Sequence, residues 1–273
     1  MIQTSTSSVE PSRYEHIRFA RQDDVVTITL DRPKVKNAMP MQGWAELRDA
    51  FRSVRQGADR VLVLTGSGSD FCAGADLGGP ATGDHHLVDM KIVSDMCIAL
   101  YRLPIPTVAR VDGVAVGAGM NLALACDFVV ATSRSRFSEI FVNRALSVDC
   151  GGSWLLPRLI GIHRAKELVL LGDVIDAAQA REIGLIRTVV EQPDLDAAVG
   201  ELVDRLAAGP SMAISQSKQL LNNAFDVTLE HALDGEARAQ TVNNASDDAA
   251  EALDAFLHKR PNDFRRSRDK EQI

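Results

Sequence analysis

The chain has 273 residues, 45% hydrophobic and 25% charged, with a formal net charge of −7 and a pI near 5.4. That length and composition suit one large domain, or a core with a smaller appendage, and the acidic balance argues against a nucleic-acid binder, which carries a basic face. No apolar run approaches the roughly 20 residues of a membrane span. Residues 1–13, rich in Ser and Thr, lack the apolar stretch of a signal peptide and read as a loose arm. Val25–Leu30 is β-branched and predicts a strand, Met41–Val54 has helical periodicity, and Val61–Thr65 predicts a second, largely buried strand. A flexible stretch marked by Gly78, Gly79, Pro80 and Gly83 precedes a helix over Leu87–Tyr101. Pro106–Val111 predicts a third strand, broken at Asp112-Gly113; a helix starts near Ala118, and Phe128–Ala131 is a fourth strand. Helices follow at Leu195–Ala208, Ser211–Asn223, Thr228–Asn243 and Asp247–Leu257, and Arg265–Ile273 reads as a frayed end. Strands alternating with helices predict an α/β core followed by a helical tail. No internal repeat stands out at one fixed period.

The cysteines, Cys72, Cys97, Cys126 and Cys150, are scattered and form no C-x-x-C pair. Reduced thiols in a cytoplasmic setting are the expectation, with no metal site. His85 and His86 follow the Gly-rich stretch; adjacent histidines point apart, so a solvated loop is expected there. Met90, Met96 and Leu100 suit either core packing or an adaptable pocket wall.

Two segments combine small residues with sharp bends: Phe71-Cys-Ala-Gly-Ala-Asp-Leu77 and Val116-Gly-Ala-Gly-Met-Asn-Leu122. In the second, a helix opens near Ala118, and its first N–H groups lack intrahelical partners. In the first, Gly74 permits an unusual backbone angle, and Asp76 can hold the loop by accepting backbone hydrogen bonds. Two such bends facing one point would form an oxyanion hole. Gly117-Ala-Gly119 begins a dinucleotide-type G-x-G-x-x-G string but places Leu122 third, a weak match. The chain has no P-loop string and no G-x-S-x-G elbow.

Taken together, Phe-x-Ala-Gly-Ala-Asp-Leu and the later Gly-x-Gly-x-x-Leu-Ala-x-x-Cys-Asp resemble the crotonase, or enoyl-CoA hydratase/isomerase, superfamily. The segments Leu30–Met39, Gly151–Gly161 and Phe256–Pro261 resemble further family stretches, and the likeness covers residues 14–264. The resemblance implies a spiral of ββα turns over residues 14–195 and a helical trimerisation region over 196–264. It also implies a homotrimer, or a hexamer built from two trimers. The ligand would be an acyl-CoA thioester, with coenzyme A present as part of the substrate and no permanently bound cofactor. Ala75 and Ala118 would grip the thioester oxygen. The CoA would lie along Arg32, Lys34, Val35, Ala38, Ala73, Asp76 and Leu77, beside Gly117, with Lys259 reaching a phosphate.

The chain departs from the family's hydratases at both of their glutamates. Asn121 and Phe141 occupy those places, and neither serves as a proton base. A carboxylate does stand at Asp149, comparable with the acting carboxylate of isomerase-like branches. It is the candidate general acid/base, with capping of the following helix as the alternative. Phe141 and Trp154 are candidate walls of the acyl site. Glu139 shares a face with Phe141 if the segment is extended, and reads more readily as a surface or interface charge than as a catalyst. The expected activity is double-bond isomerisation of an enoyl-CoA through Asp149. The alternatives are a hydratase using Asp149 or Glu139, a non-catalytic acyl-CoA-binding protein, and nucleophilic attack by Asp149 on an aromatic acyl-CoA.

Overall fold

The computed structural model describes residues 13–78, 83 and 85–265. The expected arm before Arg13, most of the Gly-rich stretch and the charged end after Arg265 lie outside the described residues. Strand β1 (Ile17–Gln22) pairs antiparallel with β2 (Val25–Leu30) across a tight turn at Asp23, where φ is 54°. Along β2, Val26, Ile28 and Leu30 are buried while the residues between them are partly exposed. This period of two identifies a strand with one face on the core. β3 (Val61–Gly66) joins β2 in parallel and is buried on both faces, as parallel strands between helical layers are. Leu62 and Leu64 meet the core that holds Trp44, Leu47 and Phe51 of α1 (Met41–Arg52). Val61 and Val63 face the other way, toward Leu195, Val199 and Val203 of α6 (Leu195–Ala207).

The large sheet continues in parallel through β4 (Thr107–Val111), β6 (Phe128–Thr132) and β9 (Thr188–Val190). Its order among the described residues is β1-β2-β3-β4-β6-β9. A second sheet holds β5 (Val114–Val116), β7 (Arg136–Ser138) and β8 (Ile175–Asp176), in the order β5-β7-β8. The chain crosses between the sheets repeatedly. β3 leads to a bridge at Cys72 and then α2 (His86–Tyr101); β4 leads to β5 and α3 (Ala118–Leu124); β6 leads to β7 and α4 (Gly152–Leu171, broken at Gly161). Cys72 pairs with Ala115, and Ala115 with Phe137. The repeat is therefore a stack of ββα turns, the expected crotonase spiral. Unequal lengths of chain separate its rungs, which is why no fixed period marks it in the sequence.

After α4, the chain adds α5 (Ala177–Glu182), then α6, α7 (Ser211–Asn223), α8 (Leu229–Asn244) and α9 (Asp247–Leu257). The first of the predicted tail helices, α6, covers one face of the large sheet. Buried Arg60 fastens the later chain to this layer, donating to the carbonyls of Ala207, Gly209 and Phe264. Among the described residues, no helix is long and apolar enough to cross a membrane.

Candidate functional site

Asn37 anchors the first of the two bends. It is fully buried, with φ at 56°, a left-handed conformation that Asn tolerates better than most residues. Its Oδ1 accepts from the Arg32 N–H at 2.8 Å, and its Nδ2 donates to the carbonyls of Ser67 and Asp70 at 2.9 and 2.7 Å. The loop after β3 is then laced to β5: the Cys72 N–H donates to the Val114 carbonyl, and the Val116 N–H to the Cys72 carbonyl. The Met39 N–H donates to the Gly74 carbonyl, and the Asp76 N–H to the Met39 carbonyl. That pairing brackets Ala75 in a parallel bridge, so its own N–H points away from Met39.

The second bend follows β5. Gly117 has φ 56° and ψ −127°, and α3 opens at Ala118, whose N–H has no acceptor four residues back within the helix. The two bends touch. A Cβ placed on Gly74 would lie 2.8 Å from the Val116 oxygen and 3.5 Å from the Ala118 nitrogen. One placed on Gly119 would come within 2.4 Å of the Cys72 carbonyl oxygen. The small residues are therefore required by backbone-to-backbone contact between the bends.

Asn121, one turn along α3 from Ala118, is fully buried and forms the next layer. Its Nδ2 donates to the Asp149 carbonyl at 3.0 Å and to Glu139 Oε2 at 3.3 Å. The Asp149 side chain does not cap α4. Gly151 holds the cap position without a side-chain bond, and only the Asp149 carbonyl takes part, accepting from the Gly152 N–H. Asp149 Oδ1 is buried with no hydrogen-bond partner. Burial pushes the carboxyl up to about 6, because low-dielectric surroundings disfavour the charged form.

The structure corrects the expectation for Glu139, which is wholly buried rather than a surface charge. The premise of an extended segment also fails, because Ile140–Arg144 is a tight 3-10 turn. Burial raises its carboxyl to about 8; the Asn121 amide lowers it somewhat, and the charge of Asp149 raises it further. Near pH 7 the pair is thus split, with Asp149 mostly ionised and Glu139 mostly neutral. A carboxyl whose folded pKa lies above its unfolded value stabilises the fold at low pH and loses that contribution as pH rises toward the folded pKa. Thermal melts should therefore show the wild type losing stability from about pH 5 to pH 8 through this group, with Glu139→Gln flattening the decline. Equal slopes for the two proteins would contradict the burial of an ionisable Glu139.

Phe141 is buried against the second bend, its ring 3.5 Å from where a Gly117 Cβ would lie. A cavity of about 690 Å³ opens beyond Cys150, lined by Cys97, Tyr101, Cys150, Trp154, Leu155 and Asn222 among others. Tyr101 and Trp154 pack edge to face at 5.1 Å, and the Arg158 guanidinium lies 3.8 Å over the Trp154 ring. Met96 and Leu100 are fully buried in the core, and Met90 packs partly buried against it. The α2 side chains lining this cavity are instead Cys97, Ile98 and Tyr101. His85 is exposed and outside the helix, where its ring caps α2 by accepting from the Leu87 N–H; His86, also exposed, departs from the expected loop by beginning the helix.

The expected CoA-binding residues lie around the first bend. Arg32 pairs with Asp76 at 2.7 Å and donates to the Ala38 carbonyl, while the Ala73 N–H donates to the Lys36 carbonyl. Asp76 also accepts from the Gly78 N–H, as its loop-holding role requires. Lys34, Val35 and Leu77 are exposed along this rim, and Lys259 is exposed just beyond α9. Sequence reasoning missed the anchoring role of Asn37, the tie made by Asn121 and the proximity of Cys97 to Cys150. The only local signal for any of them was the Asn37 side chain inside the early family-like segment. Among the described residues, no group of three His, Cys, Asp or Glu side chains is placed to hold a metal.

The family model for enoyl-CoA hydratase/isomerase matches residues 20–267. The chain is 38% identical to a 1,2-epoxyphenylacetyl-CoA isomerase of Escherichia coli K12, over 88% of this chain and 94% of the relative. The solved structure of an enoyl-CoA hydratase from Bacillus anthracis is 32% identical, with a TM-score of 0.86 over 91% of this chain and 98% of that one. A chain from Thermobifida fusca YX solved in complex with CoA is 33% identical, with a TM-score of 0.79 over 84% of this chain and 93% of that one.

Proposed function

The chain belongs to the enoyl-CoA hydratase/isomerase family, within the crotonase superfamily, and from that premise we propose that it moves the double bond of an enoyl-CoA with Asp149 as acid and base. The observation that carries this reading is the carboxyl of half-buried Asp149, which is not engaged as a helix cap, has its Oδ1 buried and unpartnered, and is raised to about 6. Such a group is a base near neutral pH and an acid once it has taken a proton. It would remove a proton from carbon 2 of a 3-enoyl thioester and return it to carbon 4. Negative charge would pass to the thioester oxygen, held by the N–H groups of Ala75 and Ala118. Phe141 fills the place where a second carboxylate would activate water. It makes the site drier, which favours proton shuttling over hydration.

On this reading, the CoA moiety lies along Arg32, Lys34, Val35, Ala38, Ala73, Asp76 and Leu77, with Gly117 beneath the thioester. Arg32 works as a scaffold, because its guanidinium is engaged with Asp76, and Lys34 and Lys259 supply the free cations for phosphate. The spiral core of residues 14–195 carries the site, and the region 196–264 assembles it into a trimer, or a hexamer of paired trimers. Leu221, Leu229, Leu253, Phe256 and Leu257 support that assembly: all are large, apolar and well exposed on α7–α9 in the single chain. A reducing cytoplasm suits its four unbridged cysteines.

A second reading, hydration, draws on Glu139, a buried carboxyl linked through Asn121 to the Asp149 loop. Offering the protein 3-enoyl-CoA and 2-enoyl-CoA separately distinguishes the two. The isomerase reading expects 3-enoyl-CoA to become the conjugated 2-enoyl ester, with no 3-hydroxyacyl-CoA accumulating from either substrate. Rapid formation of 3-hydroxyacyl-CoA would overturn it in favour of hydration.

A further inference from the structure

Cys97 and Cys150 lie on different elements, yet their sulfurs are 3.2 Å apart. Cys97 projects from the last turns of α2 and is partly exposed; Cys150 is buried in the bend before α4. Both line the cavity of about 690 Å³. Cys150 directly follows Asp149 and holds a left-handed backbone, with φ at 51°. That conformation is unfavourable for a residue with a Cβ, and here it stands where the chain brings its thiol against α2. Neither sulfur carries a bridge in this structure.

We infer that Cys97 and Cys150 form an oxidisable dithiol site whose closure to a disulfide, driven by a hydroperoxide, reversibly disables the neighbouring acid/base residue. The two remaining cysteines do not compete on equal terms. Cys72 and Cys126 are buried, and burial pushes both thiols up to about 12. Cys150 is buried too, and the Cys97 hydrogen bond and burial push its thiol up, but its sulfur stands against that of the partly exposed Cys97. Cys97 is the more accessible member of the pair and takes the oxidant first. Its sulfur attacks one peroxide oxygen; an S–O bond forms, the O–O bond breaks, and the departing oxygen takes the thiol proton and leaves as water from hydrogen peroxide, or as an alcohol from an alkyl hydroperoxide. Cys150 sulfur then attacks the sulfenic sulfur; the S–S bond forms, the S–O bond breaks, and a water carries off the thiol proton. Two thiols thus supply the two electrons that reduce one hydroperoxide, and a small dithiol reverses the step by exchange.

Bond formation draws the sulfurs together by about 1 Å. Cys150 is the residue after Asp149, so movement of its sulfur toward α2 passes to the bend that carries the Asp149 side chain. A displacement of that size at a reacting group costs roughly a hundredfold in rate. The dithiol stands on the cysteine geometry alone, whereas its effect on turnover rests on the proposed role of Asp149.

The test is to treat the full-length protein with hydrogen peroxide, alkylate the remaining thiols and digest it without reduction. Mass spectrometry is expected to find peptides containing Cys97 and Cys150 joined. Turnover of 3-enoyl-CoA should fall by roughly a hundredfold and return with dithiothreitol. Cys97→Ser and Cys97→Ala, each compared with its own untreated activity, should resist. Alkylation of both cysteines after treatment, equal loss in the Cys97 variants, or a joined pair with undiminished turnover would each overturn the inference. If untreated protein turns over no 3-enoyl-CoA, the Asp149 reading fails, while the joined peptide still establishes the oxidisable pair.

Discussion

Asp149→Asn is expected to lower double-bond migration by about 10²- to 10⁴-fold, the usual contribution of a positioned acid or base. The substitution keeps the size of the side chain and removes its ability to carry a proton. The Asp149 backbone carbonyl still accepts from Asn121, and the Gly152 N–H still reaches it. Affinity for a saturated acyl-CoA should therefore stay near that of the wild type, with the loss falling on kcat rather than KM. The wild-type rate should also climb with pH through about 6, because the proposed mechanism uses the ionised carboxylate as base. That limb should vanish in the variant. A variant that retains wild-type turnover would remove Asp149 from the chemistry.

The second large effect is expected at Gly119. In Gly119→Ala the new Cβ would fall 2.4 Å from the Cys72 oxygen and 2.7 Å from the Cys72 Cβ. Neither the backbone carbonyl nor the start of α3 yields cheaply, since Cys72 is hydrogen-bonded to β5 on both sides. The bends must part, which on the proposed reading separates the N–H groups of Ala75 and Ala118. Loss of one oxyanion donor costs about 10²- to 10³-fold, so a comparable fall in kcat is expected. Measuring turnover on the soluble, folded fraction separates this from simple destabilisation. Unchanged kcat in a folded Gly119→Ala protein would mean that the bends do not act together.

Much of this architecture is legible in the chain. β2 and β3 announce themselves by β-branched runs, and α7 and α9 have the ends that their periodicity predicts, because local preference and burial agree in these segments. β1 escapes notice because Ile17 and Phe19 alternate with charged residues on an edge strand. β5, β7, β8 and β9 are two or three residues long, too short for any period, and are defined only by pairing. The backbone bends are legible because small residues at close approaches leave a compositional trace. The carboxyl layer is less so. Whether Asp149 caps α4 or faces inward, and whether Glu139 meets solvent or Asn121, depends on the turn between them rather than on either residue. Proximity between Cys97 and Cys150 is wholly tertiary, since it arises from α2 passing the bend before α4.

A crystal structure with a bound, unreactive acyl-CoA analogue tests the central claim most directly. The account predicts the thioester oxygen about 3 Å from the backbone nitrogens of both Ala75 and Ala118, with the Asp149 carboxylate against carbons 2 and 4 of the acyl chain. A thioester oxygen bound elsewhere, or an Asp149 side chain turned away from the acyl chain, would contradict it.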